Sequence, residues 1–153
     1  MLQNLHHRDT EAQRDSLSEL VIGAAIEVHR HLGAGLLESA YEECLCYELA
    51  QKQITFLRQL ELPVKYKNLQ LNSSYRIDLI VEKSLLLELK SVDKLLPIHE
   101  AQLLTYMKLG NVSTGLLINF NVPVLKNGLK RMKLWFSLWL CVSVVKNYVA
   151  DDW

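Results

Sequence analysis

Asp78, Glu88 and Lys90 stand inside two apolar runs, "YRIDLIV" and "LLLELKSV", separated by the short polar segment Glu82, Lys83 and Ser84. Side chains alternate along a strand, so Glu88 and Lys90 share a face of the second run, as Arg76 and Asp78 share a face of the first. If Val81 pairs with Leu85 across the three-residue loop, Asp78 falls opposite Glu88 and Arg76 opposite Lys90. A loop one residue longer or shorter spoils that match. Two carboxylates held this close repel unless one is protonated or a cation lies between them, so the pattern points to a divalent-metal site. A lysine beside them can orient or acidify a metal-bound water and balance charge in a phosphoryl transition state. The competing reading is a half-exposed hairpin with an ordinary Glu–Lys ion pair on its wet side. Leu85, Leu86, Leu87 and Leu89 argue against it, because they make the strand apolar on both faces, as a covered central strand is.

The elements that must carry these groups are legible around them. Ser16 and Glu19 form an S-x-x-E capping box, and Leu17, Leu20, Val21, Ala24, Ala25, Val28 and Leu32 recur at helical spacing until Gly33. Residues 1–15 therefore read as a flexible tail and 16–153 as one domain. After the "GAG" break, "LLESAYEECLCYELAQK" predicts a second helix with Leu37, Tyr41, Leu45 and Leu49 turned inward. Three strands follow in "LELPVKYK", "SYRIDLIV" and "LLLELKSV". A helix over Ile98 to Leu109, closed by Gly110 and Asn111, leads to a short buried strand in "TGLLINF". This order predicts an α/β (α+β) sandwich around one mixed sheet, with no internal repeat or linker.

The bulk composition narrows the function classes. With 153 residues, half of them hydrophobic, the chain can bury a core of its own. The formal charge is zero, so no global basic field announces nucleic acid, and any polyanion must be held locally. Cys44, Cys46 and Cys141 lack a CxxC spacing and read as reduced thiols, which suggests the cytoplasm. "MLQNLHHRDTEAQRDS" does not resemble a signal peptide. The run Leu134 to Val145 is too short to span a bilayer and reads as a covered strand or a contact with a second subunit, leaving monomer and homodimer open. His29 and His31 diverge on a helix and make no metal pair; Ser73 and Ser74 lack nucleophile-elbow glycines, and no glycine-rich phosphate loop occurs. Lys126, Lys130, Arg131 and Lys133 in "LKNGLKRMK" read as a solvated loop and helix end rather than a phosphate grip.

Asp78, Glu88 and Lys90 together resemble the D-(x)n-E-x-K core of the PD-(D/E)XK nucleases. The surrounding text is similar to one branch of that superfamily, the GxxExxY proteins: "GAGLLESAYEECL" matches the signature at Gly35, Glu38 and Tyr41, and "YRIDLIVEKSLLLELKSV", "AQLLTYMKL" and "GLLINF" follow in the expected order. The likeness runs from about Leu17 to Arg131. It implies a restriction-endonuclease-like core with a central mixed β-sheet flanked by helices. It further implies Asp78, Glu88 and the Leu89 carbonyl as ligands of Mg2+ or Mn2+, with Lys90 as the catalytic lysine and Glu38 joining them. On residue chemistry alone Glu38 is equally an acidic residue favoured at a helix start. Gln102 and Tyr106, four apart on one helical face, resemble the Q-x-x-x-Y element that lines such sites; without the likeness Tyr106 reads as core. Arg76 and Tyr41 complete the expected nucleic-acid contacts.

Two function classes follow. One is a metal-dependent nuclease acting on DNA or RNA, and the other a binding module that keeps the nuclease-like fold without turnover.

Overall fold

The computed structural model of the chain describes residues 3–134. Its elements run α1 (Gln3–Leu32), α2 (Glu38–Gln51), β1 (Phe56–Tyr66), β2 (Leu69–Val81), β3 (Leu85–Lys90), α3 (Pro97–Leu109), β4 (Thr114–Asn119), a 3-10 turn over Leu125–Gly128 and β5 (Leu129–Lys133). The strands form one five-stranded sheet in the order β1-β2-β3-β4-β5. Neighbours are antiparallel except β3 and β4, which are parallel and joined through α3. This is a mixed α/β sheet flanked by helices, as the order of elements predicts.

Each face of the sheet buries its own core. On one side α1 and α2 lay Val21, Ala24, Val28, Tyr41, Leu45 and Leu49 against Leu79, Leu87, Leu89, Leu116 and Ile118. On the other, α3 lays Leu103, Tyr106 and Met107 against Ile77, Ile80, Leu86 and Leu117. β3 is thereby covered twice, which is why its leucines show no alternation with polar residues. The helix α3 sits so close that a Cβ at Gly115 of β4 would lie 2.7 Å from Met107 Sδ and 2.9 Å from Leu103 Cδ1. A larger residue there would have to push these two α3 side chains aside.

Several expectations need correction. The capping box at Ser16 and Glu19 opens no helix: α1 begins at Gln3, and the Ser18 hydroxyl donates to the Arg14 carbonyl within the helix at 2.9 Å. Leu37 is the residue before α2 and stays 78% exposed instead of facing inward, while Tyr41, Leu45 and Leu49 are buried as expected. "LKRMK" is neither loop nor helix end but edge strand β5, paired to β4, with Leu129 and Met132 reaching opposite cores. Lys130 is paired with Glu100 of α3, and Arg131 and Lys133 with Asp15 of α1, so these cations join elements together. The expected strand or subunit contact over Leu134 to Val145 lies outside the described residues except for Leu134, whose N–H donates to the Ser113 carbonyl at 2.8 Å. Cys141 lies outside them too. Cys46 is buried and its thiol is pushed up to about 11 by burial, so it is chemically quiet.

Candidate functional site

The loop Glu82 to Ser84 sets Val81 opposite Leu85, Ile80 opposite Leu86 and Leu79 opposite Leu87. That is the register expected from the loop length. The ladder ends there, one step short of Asp78. Ile77 and Ile80 both face α3 although they are three residues apart, and Leu57 and Leu60 on β1 do the same. Strict alternation would put each pair on opposite faces, so both strands slip by one place at the same level. On β1 the slip falls at Gln59, whose φ of 52° is left-handed. Asp78 sits directly across from it, between the pairs Arg58–Leu79 and Leu60–Ile77. Freed from the ladder, the Asp78 carboxylate takes the place of a backbone partner: Leu89 N–H donates to its Oδ2 at 2.8 Å.

Glu88 and Lys90 follow on β3. Lys90 Nζ donates to Glu88 Oε1 at 2.6 Å, with the two side chains 13% and 4% exposed. Glu88 Oε2 is buried and has no hydrogen-bond partner among the described residues. Leaving a carboxylate oxygen bare in the low-dielectric interior is costly, and the cost is visible in the protonation equilibrium. Burial, then the charges of Asp78 and Glu38, push the Glu88 carboxyl up to about 7 against the pull of Lys90. Asp78 is raised for the same first reason, burial, with Leu89 N–H and Lys90 opposing and Glu42 and Glu38 adding to it. Burial also works against the Lys90 charge, but its hydrogen bond to Glu88 and the charges of Glu88, Glu38 and Asp78 outweigh it and raise the ammonium above its ordinary value. The three groups therefore form one electrostatic unit with more negative charge than its single cation balances.

The other expected residues are distributed unevenly around this centre. Glu38 opens α2 at the exposed rim, where its Oε2 accepts from Ser91 N–H, the residue after Lys90, at 3.3 Å. Gln102 Nε2 donates to the Tyr106 hydroxyl at 2.6 Å across one turn of α3. Burial raises the Tyr106 hydroxyl, Gln102 opposes it, and the Glu88 charge reaches it as well. Tyr41 takes another place: it is fully buried, stacked on Phe120 at 4.4 Å, with its hydroxyl donating to Gly33 O at 2.6 Å and accepting from Leu36 N–H at 3.1 Å. It fastens the Gly33 to Leu36 turn to α2. Arg76 is exposed, reaches Glu61 of β1 at 3.8 Å, and lies beyond the end of the ladder that pairs β2 with β3. His99 accepts the Leu96 N–H at Nδ1 and closes the start of α3.

Glu42 went unnoticed in the sequence. It is buried on α2, takes Arg58 at 3.0 Å, and accepts from Gln59, the slipped residue facing Asp78. Glu38 and Glu42 are four apart, one face of one helix, and that spacing was the available signal. Asn119 is the second omission. Buried at the end of β4, it bonds both the N–H and the carbonyl of Val92 and so fixes the chain as it leaves Lys90.

Among the described residues no three His, Cys, Asp or Glu side chains converge into a complete cage for a metal ion. The cleft of about 410 Å3 between α1 and α2, with Val28, Leu32, Cys44 and Tyr47 in its wall, is bordered by none of the residues of the Asp78 centre. A strand-borne Asp, Glu and Lys meeting where two strands part finds its counterpart when the sequence is compared with known families. A family model for the PD-(D/E)XK nuclease superfamily matches residues 15–132. The chain belongs to this superfamily. The matched span begins in α1 and ends in β5, so it takes in every element that positions the centre. No curated protein and no solved structure gives a match. Membership in the PD-(D/E)XK superfamily suggests nuclease-like chemistry and, for that superfamily generally, use of a divalent metal. No helix among the described residues is long and apolar enough to cross a membrane.

Proposed function

We propose that the protein is a Mg2+- or Mn2+-dependent phosphodiester hydrolase acting on DNA or RNA, of the GxxExxY branch of its superfamily. The single observation that carries this reading is the buried, unpartnered Oε2 of Glu88 in a centre whose negative charge exceeds its cation. A hard cation satisfies such oxygens, and Asp78, Glu88 and the Leu89 carbonyl would hold it. When bound, the ion supplies a water of lowered pKa and neutralises charge on a phosphate oxygen.

The chain's own residues account for the rest of the reading. Leu89 N–H fixes one Asp78 oxygen, so that carboxylate keeps its orientation with or without a ligand. Lys90, kept protonated by its acidic neighbours, sets a fixed positive charge where charge develops on the phosphoryl group. Gln102, bound to Tyr106 beside the centre, is placed to orient a water or a phosphate oxygen. Each residue of the GxxExxY signature has a physical role. Gly35 turns the chain at a φ of 99°, Glu38 brings a carboxylate to the rim, and Tyr41 ties the turn to the helix.

The test is Mn2+-dependent cleavage of labelled single- and double-stranded DNA and RNA by the pure protein. Glu88→Gln and Lys90→Ala should each abolish cleavage while circular dichroism shows an intact fold. Cleavage that survives in both variants assigns the activity to another site or a contaminant. The zero net charge favours a second reading, a binding module without turnover, and that reading prevails if the wild type binds nucleic acid but cleaves none with either metal.

A further inference from the structure

β1 and β2 are longer than the sheet they belong to. From Leu69 to Arg76 every residue of β2 is exposed, and the hairpin projects past β3 as a two-stranded arm closed by Lys67 and Asn68. An arm with so little burial contributes little to the core, and its composition is unlike the rest of the chain. Arg76 is paired with Glu61 at the base of the arm, and beyond that pair the arm carries Lys65 and Lys67 and no carboxylate, in a protein whose net charge is zero. Its one aromatic-rich face continues the surface of the site. Leu62 pairs with Tyr75 on the α3 side, and beyond a two-residue register shift between Pro63 and Lys65, which preserves the parity of facing positions, Tyr66 pairs with Leu69. Tyr66 and Tyr75 are 62% and 44% exposed. Lys67 Nζ stands 5.4 Å from the centre of the Tyr66 ring, and Tyr75 leans on Tyr106 at 5.5 Å, the residue that Gln102 bonds and that the Glu88 charge reaches.

We infer that this arm is a binding platform for single-stranded nucleic acid, with bases stacked on Tyr75 and Tyr66 and the phosphate backbone drawn by Lys67 beside Tyr66, while Lys65 and Arg76 add positive charge from the other face of the two-stranded arm. The inference rests on the proposed hydrolase reading and names the form of its substrate. Flat, exposed phenol rings accept any base by stacking, and cations along the same strands neutralise the backbone without reading sequence. A duplex hides the faces of its bases, so an arm of this kind discriminates in favour of the unpaired strand. The local positive charge also answers how a neutral protein holds a polyanion.

The experiment is fluorescence anisotropy of labelled oligo-dT and oligo-U of about 16 nucleotides, a length within the range such surfaces cover, titrated with the full chain in chelator so that nothing is cut. Tyr66→Ala and Tyr75→Ala should each weaken binding roughly tenfold, with Tyr75→Trp restoring it. Replacing Lys65, Lys67 and Arg76 by alanine should flatten the salt dependence of binding by about 0.7 in logarithmic slope for each phosphate that is no longer neutralised. A duplex of equal length should bind more weakly than the single strand. Unchanged binding by the Tyr66 and Lys65/Lys67/Arg76 variants, which lie outside both cores, overturns the arm; if metal-dependent cleavage persists, the hydrolase reading stands without it. Wild-type protein that binds neither strand form overturns the arm as well, while Mn2+ binding then decides the hydrolase reading separately. Sedimentation of the same variants reports the remaining occupant: a dimer that dissociates when Tyr66 is replaced makes the arm a self-association surface and contradicts the inference.

Discussion

At the residue scale the centre is a problem of charge in a dry place. Glu88 keeps its ordinary affinity for a proton when the chain is unfolded, near 4.5, and holds it until about pH 7 when folded. A folded-state value above the unfolded one means stability that is complete below the lower value and is lost as pH rises through the higher one. The loss is on the order of 3 kcal/mol for a shift of that size in a side chain so little exposed. Glu88→Gln cannot ionise, so in chelator its melting temperature should gain on the wild type steadily from about pH 4.5 to above 7 and then hold level. Saturating Mn2+ at alkaline pH should reverse the order, because a cation stabilises the carboxylate and not the amide. Parallel melting curves at every pH would place Glu88 in a wetter setting than its burial indicates. Sequence alone singled out Asp78, Glu88 and Lys90, since charged residues inside doubly apolar strands are hard to explain otherwise. It did not separate Tyr41 and Arg76 from them. A tyrosine in a signature and an arginine two places from a key aspartate look alike in sequence, and only their partners, Phe120 with the Gly33 turn and Glu61, place them away from the three.

At the scale of the elements the site depends on a fault shared by two strands. β1 and β2 slip together at Gln59 and Asp78, and Glu42 holds the slipped residue from α2. Glu42→Ala should therefore cost about 1–3 kcal/mol by leaving Arg58 and Gln59 unpaired. It should also weaken metal binding although Glu42 is not among the proposed ligands. Chemical denaturation and Mn2+ titration of the same variant check both parts; a purely structural loss, with metal affinity unchanged, would show that Asp78 keeps its place without Glu42. Tyr41→Phe should cost about 1–2 kcal/mol, since it removes one hydroxyl that serves both the Gly33 carbonyl and the Leu36 N–H. None of this irregularity is readable from residue type, because a slip is a property of two strands at once. The hairpin register was readable, because a three-residue loop and the leucine pattern leave one solution. The start of α1 was misjudged for a related reason: an S-x-x-E sequence caps a helix only where the chain before it leaves the helical path, and here it continues.

At the scale of the molecule, one sheet covered on both faces holds an acidic centre at the point where β2 leaves β3. The mixed topology was legible because helical and strand periods alternate clearly along the chain. β5 was not, since Lys130, Arg131 and Lys133 look solvated until Asp15 and Glu100 are found opposite them. The proposed chemistry turns on whether Asp78 and Glu88 together hold a divalent metal ion. Isothermal titration of the chelator-treated chain with Mn2+, buffered about one pH unit above the Glu88 value so that the carboxylate is ionised, answers this without any need for a substrate. One saturable site is expected in the wild type, absent in Asp78→Ala and in Glu88→Gln, both folded. Equal Mn2+ binding by the wild type and both variants, or none by any of them, would contradict it.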